Sequence, residues 1–189
     1  MKDLSLHVLD LAENAVKAGA GSIAIDIVDD LPGDRLSITI QDDGCGMSPE
    51  MVERVQDPFV TSRTTRKVGL GIPLFKQGCL DTGGTFRLSS QQGVGTVISG
   101  TYVRSHLDRP PMGDMAGSIL TLVLANPDMD LRYRHTVGEE TFEFDTAEIR
   151  AQLEDVPLDT PEVQLWLMDY LSEGINTLYG GAQEYEIHK

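Results

Sequence analysis

The chain has 189 residues, 40% of them hydrophobic, which is enough to bury a core in one domain, or in one domain with a small appendage, and excludes wholesale disorder. Its 15 basic and 30 acidic residues give a net charge of −15, which excludes nonspecific attraction to nucleic acid or to an anionic membrane, since phosphates are repelled by most of such a surface. The acidity is uneven: residues 1–107 carry 13 acids and 10 bases, net −3, whereas residues 108–189 carry 17 acids and 5 bases, net −12, so the two parts are expected to face different partners.

In chain order, Leu4, Val8, Leu11, Ala12 and Ala15 recur at helical spacing, and Gly19 and Gly21 stop this first helix. Ile23, Ile25 and Ile27 then alternate, as do Leu36, Ile38 and Ile40 beyond a turn containing Pro32 and Gly33, so residues 22–41 read as a hairpin. The loop Asp42-Asp43-Gly44-Cys45-Gly46-Met47 follows, and Ser48 with Met51, Val52 and Val55 predicts a short capped helix. A polar, basic stretch from Ser62 to Lys67 precedes Gly69, which opens a helix running to about Thr82. Thr82, Gly83 and Gly84 form a turn, and strands are predicted near 85–90 and 95–104.

This order implies a mixed sheet covered by helices on one face, an α+β sandwich. Asp108 to Gly113, with Pro110 and Pro111, reads as a boundary. It divides the chain into residues 1–107 and an acidic extension, 108–189. In the extension Ser118–Ala125 and Leu131–Val137 read as strands turned by Asn126 and Pro127, followed by a short strand at Thr141–Phe144 and helices near 146–154 and 161–178. The last helix carries a broad apolar face, Val163, Leu165, Trp166, Leu167, Tyr170, Leu171, Ile175 and Leu178, read first as core and otherwise as a partner-binding face.

Cys45 and Cys79 are too few for a disulfide framework and are read as small buried thiols. No signal peptide or membrane-length apolar run is evident, so the expected compartment is the cytoplasm. The four histidines are scattered without zinc spacing, and His7 lacks the adjacent acid and proline of a phosphoacceptor, so it is expected to be packed or at the surface.

Four segments stand in a recurring order: Asn14 in DLAENAVKAGA, Asp42 in QDDGCGM, Gly69 to Gly71 in VGLGIP, and Gly93 to Thr96 in GVGT. Residues 1–104 thereby resemble the GHKL ATPase superfamily, the ATP-binding fold shared by gyrases, heat-shock chaperones, histidine kinases and mismatch-repair ATPases, and within it the histidine-kinase-like ATP-binding domain. The resemblance implies a two-layer α/β sandwich of the Bergerat type, here with a small α+β C-terminal extension, and ATP and Mg²⁺ as cofactors.

The chemistry of the matched positions agrees with that resemblance. Asp10 and Asn14 lie four apart, on one helix face. An amide oxygen coordinates Mg²⁺ without adding charge, and the resemblance assigns that role to Asn14. It assigns water activation to the acid four residues earlier, usually glutamate and here Asp10, with a solvated helix acid as the alternative. Lys17 completes an N-x-x-K arrangement whose ammonium would reach phosphate, although a surface lysine has the same appearance. Asp42, fixed at a strand end, can accept from an adenine amino group, and Gly44 and Gly46 would let the backbone approach the base. Asp43 stands where kinases often have asparagine. Phe59 to Gly71 resembles a lid in which Arg63, Arg66 and Lys67 are phosphate candidates and Gly69 and Gly71 open a helix whose amides hold phosphate; a solvated basic loop is the alternative. Gly95 and Thr96 resemble the last motif, with the Thr96 hydroxyl near adenine.

Nothing in the sequence resembles the helical phosphoacceptor unit of a complete sensor kinase. Three functions follow. The first is a kinase-like protein phosphorylating or regulating a separate protein partner. The second is an ATPase switch worked by Asp10. The third is a noncatalytic regulator stabilised by nucleotide. Residues 108–189 are left open as a homodimerisation unit, a docking surface for an acceptor, or an autonomous small extension, and their acidity suits a basic or mixed-charge partner.

Overall fold

A computed structural model describes residues 3–57, 70–154 and 156–180. Helix α1 (Leu4–Lys17) starts at Asp3, whose carboxylate accepts from the Leu6 N–H, and it buries Leu4, Val8, Leu11, Ala12 and Ala15 along one stripe. Strands β1 (Ser22–Asp30) and β2 (Arg35–Asp42) form the expected antiparallel hairpin, with Ile23, Ile25, Ile27, Leu36, Ile38 and Ile40 all pointing inward. Helix α2 (Pro49–Arg54) is capped by Ser48, and α3 (Gly71–Asp81) buries Ile72, Phe75 and Cys79. Strands β3 (Phe86–Gln91) and β4 (Gly95–Val103) pair antiparallel, and β4 lies beside β2.

One expectation fails beyond this point. Ser118–Ala125 belongs to a helix, α4 (Met115–Ala125), and not to a strand. Asp114 caps it by accepting from the Gly117 N–H, and Ile119, Leu122 and Val123 are buried at helical spacing. A short apolar run bounded by turn residues fits a buried helix and a buried strand equally well; here the aspartate cap and the added turn from Met115 decide it. Strands β5 (Asp130–Val137) and β6 (Glu140–Asp145), then helices α5 (Thr146–Leu153) and α6 (Pro161–Leu178), complete the chain order.

The sheet order is β3-β4-β2-β1-β5-β6, with β5 parallel to β1 and the other neighbours antiparallel. One face alternates into the core. The other presents Asp26, Ser37, Thr39, Arg132 and Arg134 outward, as a two-layer α/β sandwich requires. Residues beyond 107 share this sheet and its core: Ile119, Leu131, Tyr133 and Leu167 are buried in the same cluster as Leu4, Val8 and Ile25. Each such aliphatic side chain contributes about 1.5–3 kcal/mol by leaving water.

A buried polar chain also ties the C-terminal part to the sheet. Tyr133 Oη donates to His135 Nδ1 (2.7 Å), Nε2 meets Tyr179 Oη (3.1 Å), and Tyr179 donates to Asp29 (3.4 Å), which also accepts from Arg104 Nε (2.8 Å). A neutral imidazole with its proton on Nε2 satisfies every member. Burial accordingly holds His135 down, to a pKa of about 4. His7 is also buried and depressed to about 4. Of the two cysteines, Cys79 is buried as expected and Cys45 is exposed, because it sits on the outward side of the glycine loop.

Candidate functional site

Asp42 ends β2, where the strand pairing sets it opposite Thr96 at the start of β4. Its Oδ1 accepts from the Gly44 N–H at 2.8 Å. Burial raises its pKa, while the N–H groups of Gly44 and Thr96 pull it back. The carboxylate is therefore oriented by its own loop and half-buried.

That loop is clamped on both sides. Cys45 N–H donates to the Ala18 carbonyl at the end of α1 (2.9 Å), Gly93 N–H donates to the Cys45 carbonyl (2.8 Å), and Met47 N–H donates to Ser90 Oγ (2.8 Å). Gly46 has φ +64°, and a Cβ there would overlap the backbone carbonyl of Gln91; Gly95 has φ +138°, and a Cβ there would overlap the carbonyl of Asp42. Both positions combine a left-handed backbone with contact to another main chain, which only glycine tolerates without movement. Gly44 is tight as well, since its Cβ would lie 2.9 Å from Asp42 Oδ1 and 3.0 Å from Ala18 Cβ. Asp43 is used differently: its Oδ1 accepts from the N–H groups of Gly21 and Ser22, both at 2.8 Å, and so fastens the start of β1.

Ser90 carries no motif, yet it joins three parts of this site. It accepts from Met47 N–H, donates to the Gly95 carbonyl (3.0 Å) and lies 2.9 Å from Thr96 Oγ1. Because its one proton goes to Gly95, the Thr96 hydroxyl donates to Ser90 and keeps its lone pairs free. No sequence signal marks Ser90, which is a serine in an alternating strand like any other.

Along α1 the remaining residues follow at helical spacing. Asn14 lies one turn before Ala18 and Asp10 one turn earlier, roughly 6 Å per step. The Asn14 side chain has a buried Nδ2 without a hydrogen-bond partner. Nitrogen and oxygen exchange places on turning the amide, so this position offers an unspent oxygen. The Asp10 carboxylate lies against Gly71, the first residue of α3, where a Cβ would overlap Asp10 Oδ2. Burial raises the Asp10 pKa, partly offset by Lys17. Leu70 gives α3 no side-chain cap, and because Pro73 has no N–H, the amides of its first turn that could face an anion are those of Gly71 and Ile72. Lys17 is exposed and paired with Glu13 at 3.2 Å. Arg63, Arg66, Lys67 and Gly69 lie outside the described residues.

The structure thus brings Asp10, Asn14, Asp42, Gly44, Gly46, Gly71, Gly95 and Thr96 to one end of the sheet and the adjoining side of α1. A sequence profile for the family described as histidine kinase-, DNA gyrase B-, and HSP90-like ATPase matches residues 2–109. The chain belongs to this family, and the matched part is an ATP-binding domain of the histidine-kinase type.

Among curated relatives, the non-motile and phage-resistance protein of Caulobacter vibrioides is 31% identical over 111 residues, covering 54% of this chain and 13% of that protein. A probable C4-dicarboxylate sensor kinase of Bacillus subtilis is 40% identical over 76 residues, covering 40% of this chain and 14% of that protein. The chain therefore spans only a small part of the length of these relatives. The N-terminal domain of a DNA repair protein has the same fold, with a TM-score of 0.52 at 15% identity, over 76% of this chain and 52% of that one. No helix among the described residues is long and apolar enough to cross a membrane.

Proposed function

We propose that the chain binds Mg-ATP at this site and phosphorylates or regulates a separate protein. The Asp42 clamp carries the reading: a half-buried carboxylate, oriented by Gly44 N–H and flanked by the free lone pairs of Thr96, suits a base edge that donates through an exocyclic amine. At C6, adenine donates through its amine and guanine accepts through its carbonyl oxygen.

The unpartnered amide of Asn14 fits Mg²⁺, which prefers few protein ligands and keeps water and phosphate oxygens around it. When bound, the ion would neutralise triphosphate charge. Asn14 would hold it, the Gly71 and Ile72 amides of α3 would face phosphate, and Lys17 would reach phosphate on leaving Glu13. Arg63, Arg66, Lys67 and Gly69 remain phosphate candidates on the strength of their sequence alone.

A second reading, the ATPase switch, is favoured by the seat of Asp10. Its carboxylate rests at the start of α3 with a raised pKa, which suits a group that accepts a proton from water. Measuring ADP release from Mg-ATP by the chain alone separates the two. Saturable ATP binding without release supports transfer to a partner. Steady release that Asp10→Asn removes, with binding spared, supports the switch.

A further inference from the structure

We propose that the outward side of α6 is a docking surface for a basic, arginine-bearing segment of a protein partner. Helix α6 has 18 residues and contains Glu162, Asp169 and Glu173 but no lysine or arginine. Its inward stripe, Val163, Leu167 and Leu171, is buried. The neighbouring stripe is not: Trp166 is 44% and Tyr170 40% exposed. Spacings of three and four place Glu162 beside Trp166, Asp169 beside Trp166 and Glu173, and Tyr170 between Trp166 and Glu173, so two rings and three carboxylates share one face.

The rings are held in place. Trp166 and Tyr170 stack at 5.4 Å with planes 16° apart, and Tyr170 also rests on Phe142 of β6, at 5.4 Å. Phe142 in turn occupies the space a Cβ on Gly174 would need, which draws α6 close to the edge strand. Among the described residues, no ion pair or side-chain hydrogen bond reaches the carboxylates of Glu162, Asp169 or Glu173. Arg134 and Arg150, also from the C-terminal part, are bound to Asp26 and Asp130. Among the described residues, this face has aromatic area and negative charge with no counter-ion.

Charge decides the occupant. A two-fold contact between copies would set this face against itself, three carboxylates against three, within a segment of net −12. A guanidinium instead stacks on the rings and forms forked bonds to the carboxylates around them, which lysine does less well.

Trp166 is the single tryptophan of the chain, so its emission reports on this surface directly. The test is a fluorescence and calorimetric titration of the full chain with a short synthetic peptide of alternating arginine and alanine, beside its lysine counterpart. The arginine peptide is expected to shift Trp166 emission and to bind more tightly than the lysine peptide. Neutralising the face (E162Q/D169N/E173Q) is expected to weaken binding about tenfold or more, and Tyr170→Ala several-fold. A control that removes equal charge elsewhere, D81N/D108N/D128N, should leave it within about twofold. Circular dichroism confirms that each variant is folded. Equal losses in both triple variants would reduce the effect to net charge and overturn the proposal, as would sedimentation showing a dimer that the α6 variants dissociate.

Discussion

Gly93 and Gly95 lie two residues apart in one motif, and the structure separates what they do. Both have a left-handed backbone, φ +78° and +138°. Around Gly93 a Cβ would meet nothing within 4 Å, whereas at Gly95 it would overlap the main-chain carbonyl of Asp42. Gly93→Ala therefore costs only backbone strain, about 1–2 kcal/mol. Gly95→Ala adds the displacement of Asp42, which the β2–β4 pairing and the Gly44 contact hold in place. Strain of about 1–3 kcal/mol and overpacking of about 1–3 kcal/mol combine to about 2–6 kcal/mol.

For a chain of this length each kcal/mol lowers Tm by about 2–4 °C. Gly95→Ala is then expected to melt roughly 4–24 °C lower and to bind ATP about tenfold more weakly or worse. Gly93→Ala should melt roughly 2–8 °C lower, with affinity within about twofold. Thermal melts and calorimetric titrations of the two variants check this. Equal loss of Tm and of affinity in both would refute the role given to the Gly95–Asp42 contact.

At Gly71→Ala the atom in the way is the tip of Asp10, which yields by leaving its rotamer at about 0.5–1.5 kcal/mol; stability should barely change, while any partner-independent ADP release falls about tenfold or more, as for Asp10→Asn. Ser90→Ala removes the acceptor of Met47 N–H and frees the Thr96 hydroxyl to donate. Discrimination of ATP over GTP in competition binding is expected to narrow several-fold, and unchanged discrimination would dissociate Ser90 from base selection. His7 and His135 have folded pKa values of about 4, below the ordinary 6.5, so the unfolded chain takes up protons that the folded one refuses. Stability is complete above about pH 6.5 and is lost as pH falls toward 4, by up to about 3 kcal/mol per histidine. The raised carboxylates Asp10 and Asp42 oppose this loss. Urea melts from about pH 8 to about pH 4.5 test the sign, and a stability that rises across that window contradicts it.

Much of the site is legible in sequence because its residues have no substitute. Gly46 and Gly95 combine positive φ with main-chain contact, and Asp42 must end a strand whose alternation Leu36, Ile38 and Ile40 announce. Partners that use main-chain atoms or a common side chain leave no such mark. Ala18 offers its carbonyl and Ser90 its hydroxyl, so neither stands out. Ser118–Ala125 reads wrongly because an apolar run with buried Ile119, Leu122 and Val123 has no polar face to set the period; the cap at Asp114 was the available signal. Helix α6 divides the two readings of its apolar face. Val163, Leu167 and Leu171 join the core, while Leu165, Trp166 and Tyr170 stay exposed. Hydrophobicity alone does not say which side meets the sheet.

The most direct test of the account is a calorimetric titration of Mg-ATP into the full chain and into Asp42→Asn at moderate salt. The amide can still accept one bond, but its N–H₂ group faces the adenine amine as a second donor, so binding should be saturable in the wild type and lost or weakened by about a hundredfold in the variant. Equal affinity in both, with folding intact, would contradict the assignment of Asp42 to the base and with it the reading of the site.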